Sequence, residues 1–353
     1  MASRIEENVA LAGYTTLKIG GKARFFLSAT REDEVIEALA FAEKKHLQIF
    51  ILGGGSNILI ADEGFDGLVL QIALKGVSIV QESDETVYVR ADAGEDWDEF
   101  VQLCVEKNLQ GIECLSGIPG FVGGTPVQNV GAYGQEVSET IFKVQCFDRK
   151  TKNLVELTNS KCSFAYRTSI FNTSEKNRYI VLSVTYALKP SGEPKIVYRD
   201  LINYFGDVKP NLEETRNAVL NIRAEKSMVI AAGDPNSQSA GSFFKNPIVT
   251  KSELTRIEKR AAHLGYETVP HFMVDGTRVK IPAAWLIEKS GFQKGFEFGR
   301  VGLSTRHTLA IINRGDASAK DILRLKEKIQ SAVKEQFNVE LLPEPIFVGF
   351  KND

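Results

Sequence analysis

Three consecutive glycines between two apolar runs constrain this chain more than any other stretch. Residues 48 to 60 read Gln48-Ile-Phe-Ile-Leu-Gly-Gly-Gly-Ser-Asn-Ile-Leu-Ile60. Adjacent glycines lose more entropy on folding than any other residues, so a need for bare backbone is expected there. One such need is a loop whose N–H groups approach an anion, typically a phosphate. The other is a tight hairpin between two strands. The residues alone leave these two level. The loop fits neither G-x-G-x-x-G opening a helix nor G-x-x-x-x-G-K-[ST], which argues against a Rossmann dinucleotide fold and a P-loop nucleotidase.

A chain of 353 residues has room for two or three domains, each with its own core. Net charge is −2, with no basic excess to suggest a nucleic-acid footprint. No apolar run is long enough to span a bilayer. The start, Met-Ala-Ser-Arg-Ile-Glu-Glu-Asn, lacks the charged-then-apolar order of a signal peptide, so a cytoplasmic protein is expected. Cys104, Cys114, Cys146 and Cys162 form no C-x-x-C and read as reduced, mostly buried thiols. His46, His263, His271 and His307 have no metal-ligand spacing, and no metal is expected.

Periodicity predicts a helix over 30–45, with Thr30 as N-cap and Asp33 and Glu34 in the first turn. Strands follow at 48–52, 58–60 and 68–72, so the chain opens as a small α+β unit. A strand at 86–91 places Val87 and Val89 on one face, and an amphipathic helix at 97–107 places Phe100, Val101, Cys104 and Val105 on one side. Strands resume at 141–147 and 179–188. A helix over 212–226 has Asn211 as N-cap and Glu214 placed for a capping box. The breaker-rich stretch 231–240 marks a domain boundary. Helices are expected at 252–264, 283–289 and 319–337, and Pro343-Glu344-Pro345 lies beyond the last.

A second glycine-rich region spans Gly111 to Gly134 and includes Ser116-Gly-Ile-Pro-Gly120 and Gly123-Gly124. It is too apolar for a flexible linker and too rich in glycine for ordinary helix. Backbone pressed against a flat or bulky ligand would explain it. A buried irregular crossover between domains would also do so.

These motifs fall in a fixed order: Gly53-Gly54-Gly55-Ser56-Asn57, the Ser116–Gly124 segment, Tyr166-Arg167-Thr168-Ser169-Ile170-Phe171, Gly241-Ser242-Phe243-Phe244-Lys245-Asn246-Pro247 and Pro343-Glu344-Pro345. Over roughly residues 10 to 350 the chain resembles the UDP-N-acetylenolpyruvoylglucosamine reductase family, flavoenzymes of bacterial cell-wall precursor synthesis. The two glycine segments are shared with a wider group of flavin enzymes; the Gly-Ser-Phe-Phe-Lys-Asn-Pro motif is more specific. The resemblance implies an α+β, three-domain flavoenzyme with a vanillyl-alcohol-oxidase-like (PCMH-type) FAD-binding fold and a C-terminal substrate-binding domain. Residues 1–73, joined by 338–353, and residues 74–226 would form the FAD-binding part, and 227–337 the substrate domain. The stretch Lys195-Ile-Val-Tyr198-Arg-Asp-Leu201 resembles the tyrosine-bearing loop of one branch of the family. A monomer is implied, with NADPH and UDP-N-acetylglucosamine enolpyruvate as reaction partners, and neither nucleic acid nor membrane.

The implied reaction is reduction of an enol ether bearing a carboxylate: NADPH reduces FAD, and hydride passes from flavin N5 to the terminal vinylic carbon. The cofactor carries the hydride chemistry, while the protein orients, stabilises charge and supplies a proton. By the resemblance Arg167 stabilises the developing enolate, as a guanidinium that stays cationic can. An interdomain or surface ion pair is the ordinary alternative. Ser242 is the candidate proton donor to the strongly basic enolate carbon; otherwise it is a turn or N-cap serine. Glu344, pinned between two prolines, could stay neutral beside the substrate carboxylate and donate a hydrogen bond; otherwise it is an exposed turn residue. Tyr198, Lys226 and Asn246 are assigned to the substrate, the first two suiting a diphosphate. Tyr166 fits core or flavin packing as well as it fits chemistry, and Arg223, Lys226 and Lys245 fit solvated charges equally. For FAD, Gly53, Gly54, Gly55, Ser56 and Asn57 should hold the pyrophosphate, and Ser116, Gly120, Gly123 and Gly124 should line the flavin or ribityl side. Non-covalent FAD is expected, with Cys114 read as core.

Two rivals stand beside this reading. Another FAD oxidoreductase of the same fold, acting on a hydroxy acid or sugar lactone, would share the Gly-Gly-Gly-Ser-Asn loop but not the motifs of Ser242, Asn246 and Glu344. A degenerate nucleotide-sugar sensor would be colourless after soaking with FAD and would not need Arg167, Ser242 and Glu344 together.

Overall fold

The computed structural model describes residues 5–350. Its contacts divide the chain into two compact units. Among the described residues the first holds 5–9, 23–55 and 66–229, and the second holds 10–22, 56–65 and 230–350.

In the first unit, the strands Glu6–Ala10, Lys22–Ala29, Phe65–Ile72 and Gln48–Leu52 form one sheet in that spatial order. Gln48–Leu52 runs parallel to Phe65–Ile72. The helix Glu32–Lys44 contributes Val35, Ala38 and Ala42 to the core. Its N-cap is Arg31 rather than Thr30. The Glu34 carboxylate reaches back to accept from the Thr30 N–H and hydroxyl at 2.8 and 3.1 Å, so the threonine acts as a donor one residue outside the cap.

A larger antiparallel sheet follows, in the order Asn153–Thr158, Ile141–Asp148, Tyr179–Pro190, Val87–Asp92, Val77–Glu82. Val87 and Val89 are both buried, as their alternation requires. Trp97–Glu106 is a helix capped by the Asp96 carboxylate, which accepts from the Asp98 and Glu99 N–H groups. It buries Trp97 and Phe100 against Tyr186 of the long central strand, at ring-centroid distances of 5.8 and 5.2 Å. Their polar atoms are also satisfied: Trp97 Nε1 donates to the Leu115 carbonyl, and the Tyr186 hydroxyl bonds Thr125 Oγ1. Leu115 and Thr125 bracket the Ser116–Gly124 stretch of the second glycine segment, which this aromatic cluster therefore holds in place.

The second unit is built around Ala319–Phe337, a helix whose apolar stripe Ile322, Leu325, Ile329, Val333, Phe337 is wholly buried. Ser318 and Asp321 close a capping box at its start, and Asp62 accepts from the Ala319 N–H. Two three-stranded antiparallel sheets and the helices Lys251–His263 and Ala283–Lys289 complete the unit. Ile58–Ile60 pairs in parallel with Ile346–Val348.

That last pairing removes one of the two readings of the three glycines. The strand before them joins one sheet and the strand after them joins another, so the loop is not a hairpin. No helix among the described residues is long and apolar enough to cross a membrane.

The expected capping box at Asn211 and Glu214 is formed, and the helix Leu212–Glu225 leads directly into Lys226. Asn211→Ala should cost about 1 kcal/mol of stability. A thermal melt that does not shift downward would show that this box contributes nothing.

Candidate functional site

Bare backbone brings the two glycine segments together. A Cβ on Gly54 would stand 2.7 Å from the Gly120 Cα and 2.9 Å from its carbonyl carbon. A Cβ on Gly123 would stand 2.6 Å from the Ala93 Cβ, while the Gly123 N–H donates to the Ala93 carbonyl. Gly54 and Gly123 are thus required by chain packed on chain. Gly53 and Gly124 differ, because a Cβ on either would meet nothing within 4 Å. Gly55 has φ +66° and Gly120 φ +130°, conformations that favour glycine.

The polar residues of these segments are more committed than the sequence suggests. The buried Ser116 hydroxyl donates to the Glu113 carbonyl at 2.7 Å. Asn57 Nδ2 donates to the Glu344 carbonyl at 3.4 Å, and the Asn57 carbonyl accepts from the Ile346 N–H. The Ser56 carbonyl accepts from the Thr16 hydroxyl. Cys114 is fully buried, and burial pushes its thiol pKa far up, which matches the core role expected of it.

Arg167 lies in the first unit at the tip of a two-residue turn closed by reciprocal hydrogen bonds between Ala165 and Thr168. Its φ is +54°, the left-handed region that side chains disfavour. Nη2 donates to the Gly131 carbonyl at 2.6 Å and Nη1 to the Asn129 carbonyl at 3.4 Å. The guanidinium carbon stands 5.4 Å from the Tyr166 ring centroid, which gives that tyrosine a packing role.

Tyr198 and Lys226 belong to the same unit and meet around Tyr133. The Tyr198 ring is edge-on to Tyr133 at 5.5 Å, and Lys226 Nζ lies 5.9 Å from the Tyr133 ring centre. Lys226 is ion-paired with Asp200. Burial works against the lysine charge, but the Asp200 carboxylate outweighs it, and the ammonium pKa is raised. Tyr198 is 46% exposed.

Ser242 lies in the second unit at the start of a short segment bonded to two other parts of the chain. The Phe243 N–H donates to the Leu309 carbonyl, the Phe243 carbonyl accepts from the Glu344 N–H, and the Lys245 N–H donates to the Leu342 carbonyl. Phe243 and Phe244 are buried and anchor the segment. The N-cap alternative for Ser242 is therefore not what the structure contains. The Ser242 hydroxyl stands 3.3 Å from His307 Nε2. Two N–H groups, of Arg306 and His307, donate to the Ser304 hydroxyl and shape the turn that presents the imidazole. Asn246 Oδ1 accepts from the Ala283 N–H at 2.8 Å and so tethers the start of the helix Ala283–Lys289.

His307 was invisible to sequence reasoning as a site residue. It carries no metal spacing and belongs to none of the motifs, and only the pairing of the 242–245 and 307–309 segments reveals it. Asp200 is a second omission; it follows Tyr198 by two residues, but its lysine partner is 26 positions away.

Residues 234–348 match the family described as UDP-N-acetylenolpyruvoylglucosamine reductase, C-terminal domain. Residues 23–155 match the FAD binding domain family. The chain is 44% identical to a UDP-N-acetylenolpyruvoylglucosamine reductase of Thermobifida fusca, over 99% of each chain. It is 44% identical to the same-named protein of Salinispora arenicola, over 96% of this chain and 94% of that one. It is also similar to the crystal structure of UDP-N-acetylenolpyruvylglucosamine reductase from Thermus caldophilus, with a TM-score of 0.66 and 25% identity over 98% of this chain and 99% of that one. The expected α+β flavoenzyme fold, an FAD-binding domain followed by a C-terminal domain of the reductase type, is the fold of this chain.

Gly54→Ala should force the two glycine segments apart, since backbone rather than a flexible side chain receives the new methyl. The expected result is purified protein with unchanged far-ultraviolet circular dichroism and little bound flavin. Full flavin absorbance in this variant would show that the close approach is dispensable for the cofactor.

Proposed function

The chain belongs to the UDP-N-acetylenolpyruvoylglucosamine reductase family and is an FAD-dependent oxidoreductase; on that premise we propose that it reduces UDP-N-acetylglucosamine enolpyruvate to UDP-N-acetylmuramate with NADPH. The reaction serves peptidoglycan synthesis in the cytoplasm. In this reading residues 1–73 with 338–353 and residues 74–226 serve the cofactor, and 227–337 serve the substrate.

The glycine segments fit FAD. Gly53 and Gly124 present Cα faces with no neighbour where a side chain would otherwise sit, so a ligand can approach the backbone there. Residues Gly53 to Asn57 would hold the pyrophosphate and Ser116, Gly120, Gly123 and Gly124 the flavin side. Ser116, with its hydroxyl on the Glu113 carbonyl, would serve through its position rather than as a donor. The association is non-covalent. Held there, FAD would supply the hydride chemistry between NADPH and the vinylic carbon of the substrate.

The chain's own residues supply the rest. Arg167, steered by the Gly131 and Asn129 carbonyls, places a permanent positive charge for the enolate. Ser242 gives its proton to the carbon next to the carboxylate. With a proton on Nε2, 3.3 Å from the serine oxygen, His307 would stabilise the alkoxide that this leaves. Glu344, whose peptide is locked to Phe243, donates a hydrogen bond to the enolate oxygen. Tyr198 and Lys226 take the diphosphate. Asn246 uses its carbonyl to hold the helix Ala283–Lys289 and keeps its amide nitrogen for the substrate.

The observation that carries this reading is the Ser242 hydroxyl next to the His307 imidazole on a segment that also fixes the Glu344 peptide. Ser242→Ala should leave NADPH-driven flavin bleaching nearly intact and slow the return of oxidised flavin on adding substrate by about 10²–10⁴-fold. Rapid flavin reoxidation by substrate in the variant would remove Ser242 from the chemistry. Loss of bleaching would instead place its role at the flavin.

A further inference from the structure

Glu113 is completely buried, yet it is a carboxylate inside an apolar glycine-rich stretch. Its oxygens accept three N–H groups: Gly111 N at 2.8 Å, Gln135 Nε2 at 2.8 Å and Lys195 N at 3.1 Å. Gln135 is itself held, because its carbonyl accepts from the Cys114 N–H at 2.8 Å. The Cys114 thiol stands 3.5 Å from the Lys195 carbonyl. Both polar groups of the Lys195 peptide therefore end on neighbouring residues of the second glycine segment.

The tyrosine-bearing loop begins at that peptide. Three consecutive residues receive it: Gln135 braces Glu113, Gly134 admits Val197, and Tyr133 meets the Tyr198 ring edge-on at 5.5 Å. A Cβ at Gly134 would stand 2.5 Å from Val197 Cγ2, and its φ of +85° further reserves the position for glycine. Val197 and Tyr198 are 57% and 46% exposed, so little burial of their own holds them. The buried carboxylate is the fixed point from which the loop projects.

We propose that Glu113 is the positioning residue of the tyrosine loop: by accepting the Lys195 N–H it sets where Tyr198 and, through Tyr133, Lys226 stand, and so sets affinity for the sugar nucleotide. The proposal rests on the reading that Tyr198 and Lys226 bind that substrate. A carboxylate suits the task because it accepts all three N–H groups. A glutamine would turn one oxygen into a donor that faces another donor, a mismatch costly in a buried place.

The test uses hydrogen exchange of the intact FAD-loaded protein together with steady-state kinetics. Glu113→Gln should speed exchange of amides 195–198 and raise KM for UDP-N-acetylglucosamine enolpyruvate, each by about tenfold, the equivalent of one lost buried hydrogen bond. FAD content and kcat should stay within about twofold. The paired exchange Glu113→Gln with Gln135→Glu guards against misfolding. It keeps one carboxylate in the same buried cluster and preserves the bonds to Gly111, to Cys114 and between the two exchanged side chains. Only the acceptor for Lys195 is lost, so the same rise in exchange and KM is expected of this well-folded variant. Unchanged loop exchange in the paired variant would overturn the proposal. Faster exchange with an unchanged KM would keep the anchor but overturn the assignment of Tyr198 and Lys226 to the substrate.

Discussion

Peptide against peptide, with no side chain between, is the contact on which the cofactor-binding part depends. At Gly54 and Gly120 two segments distant in sequence come close enough that one methyl would collide with main-chain atoms. Backbone cannot yield as a flexible side chain can, so the approach is either present or lost. It aligns the first glycine loop with the segment 111–124, which the buried aromatic cluster of Trp97, Phe100 and Tyr186 holds from behind. That same segment carries Glu113 and Cys114, and through them it reaches the Lys195 peptide. One stretch of irregular backbone thus joins the segment proposed to line the flavin to the loop assigned to the substrate.

The second unit solves a different problem by similar means. A serine is a poor acid, and the proton transfer proposed for Ser242 demands a fixed place rather than a shifted pKa. The segment 242–245 is bonded on one edge to Leu309 and on the other to Leu342 and Glu344, with two buried phenylalanines beneath. Three parts of the chain distant in sequence are locked in register by main-chain bonds, and Ser242 and His307 come within 3.3 Å as a consequence. Position is set by backbone, which is more exact than setting it through long side chains.

Much of this was legible in the sequence where the deciding forces are local. The capping box of Asn211 and Glu214 lies within four residues and is formed as read. The stripe of the helix Ala319–Phe337 and the alternation of Val87 and Val89 were equally plain, since burial follows period. The cap at Thr30 was misplaced by one residue because the Glu34 carboxylate takes the Thr30 N–H and hydroxyl as donors, so the hydroxyl is not used to accept from the helix. That Gly53–Gly55 do not turn a hairpin was not legible, because it depends on Ile346–Val348 at the far end of the chain. His307 and Glu113 escaped for the same reason. Each draws its role from partners far away in sequence, 65 positions for His307 and 82 for Glu113, and no local pattern marks such a pairing. Asn246 was read as a substrate residue on its motif, and the structure adds a structural task for its carbonyl.

The central claim is that this chain passes reducing equivalents through bound FAD to an enolpyruvyl sugar nucleotide. Anaerobic stopped-flow absorbance of the FAD-loaded protein tests it most directly. The flavin is bleached with one equivalent of NADPH and then mixed with UDP-N-acetylglucosamine enolpyruvate. The account predicts rapid return of the oxidised flavin spectrum on mixing. A flavin that bleaches but stays reduced until oxygen is admitted would leave the fold and cofactor standing and contradict the assigned substrate.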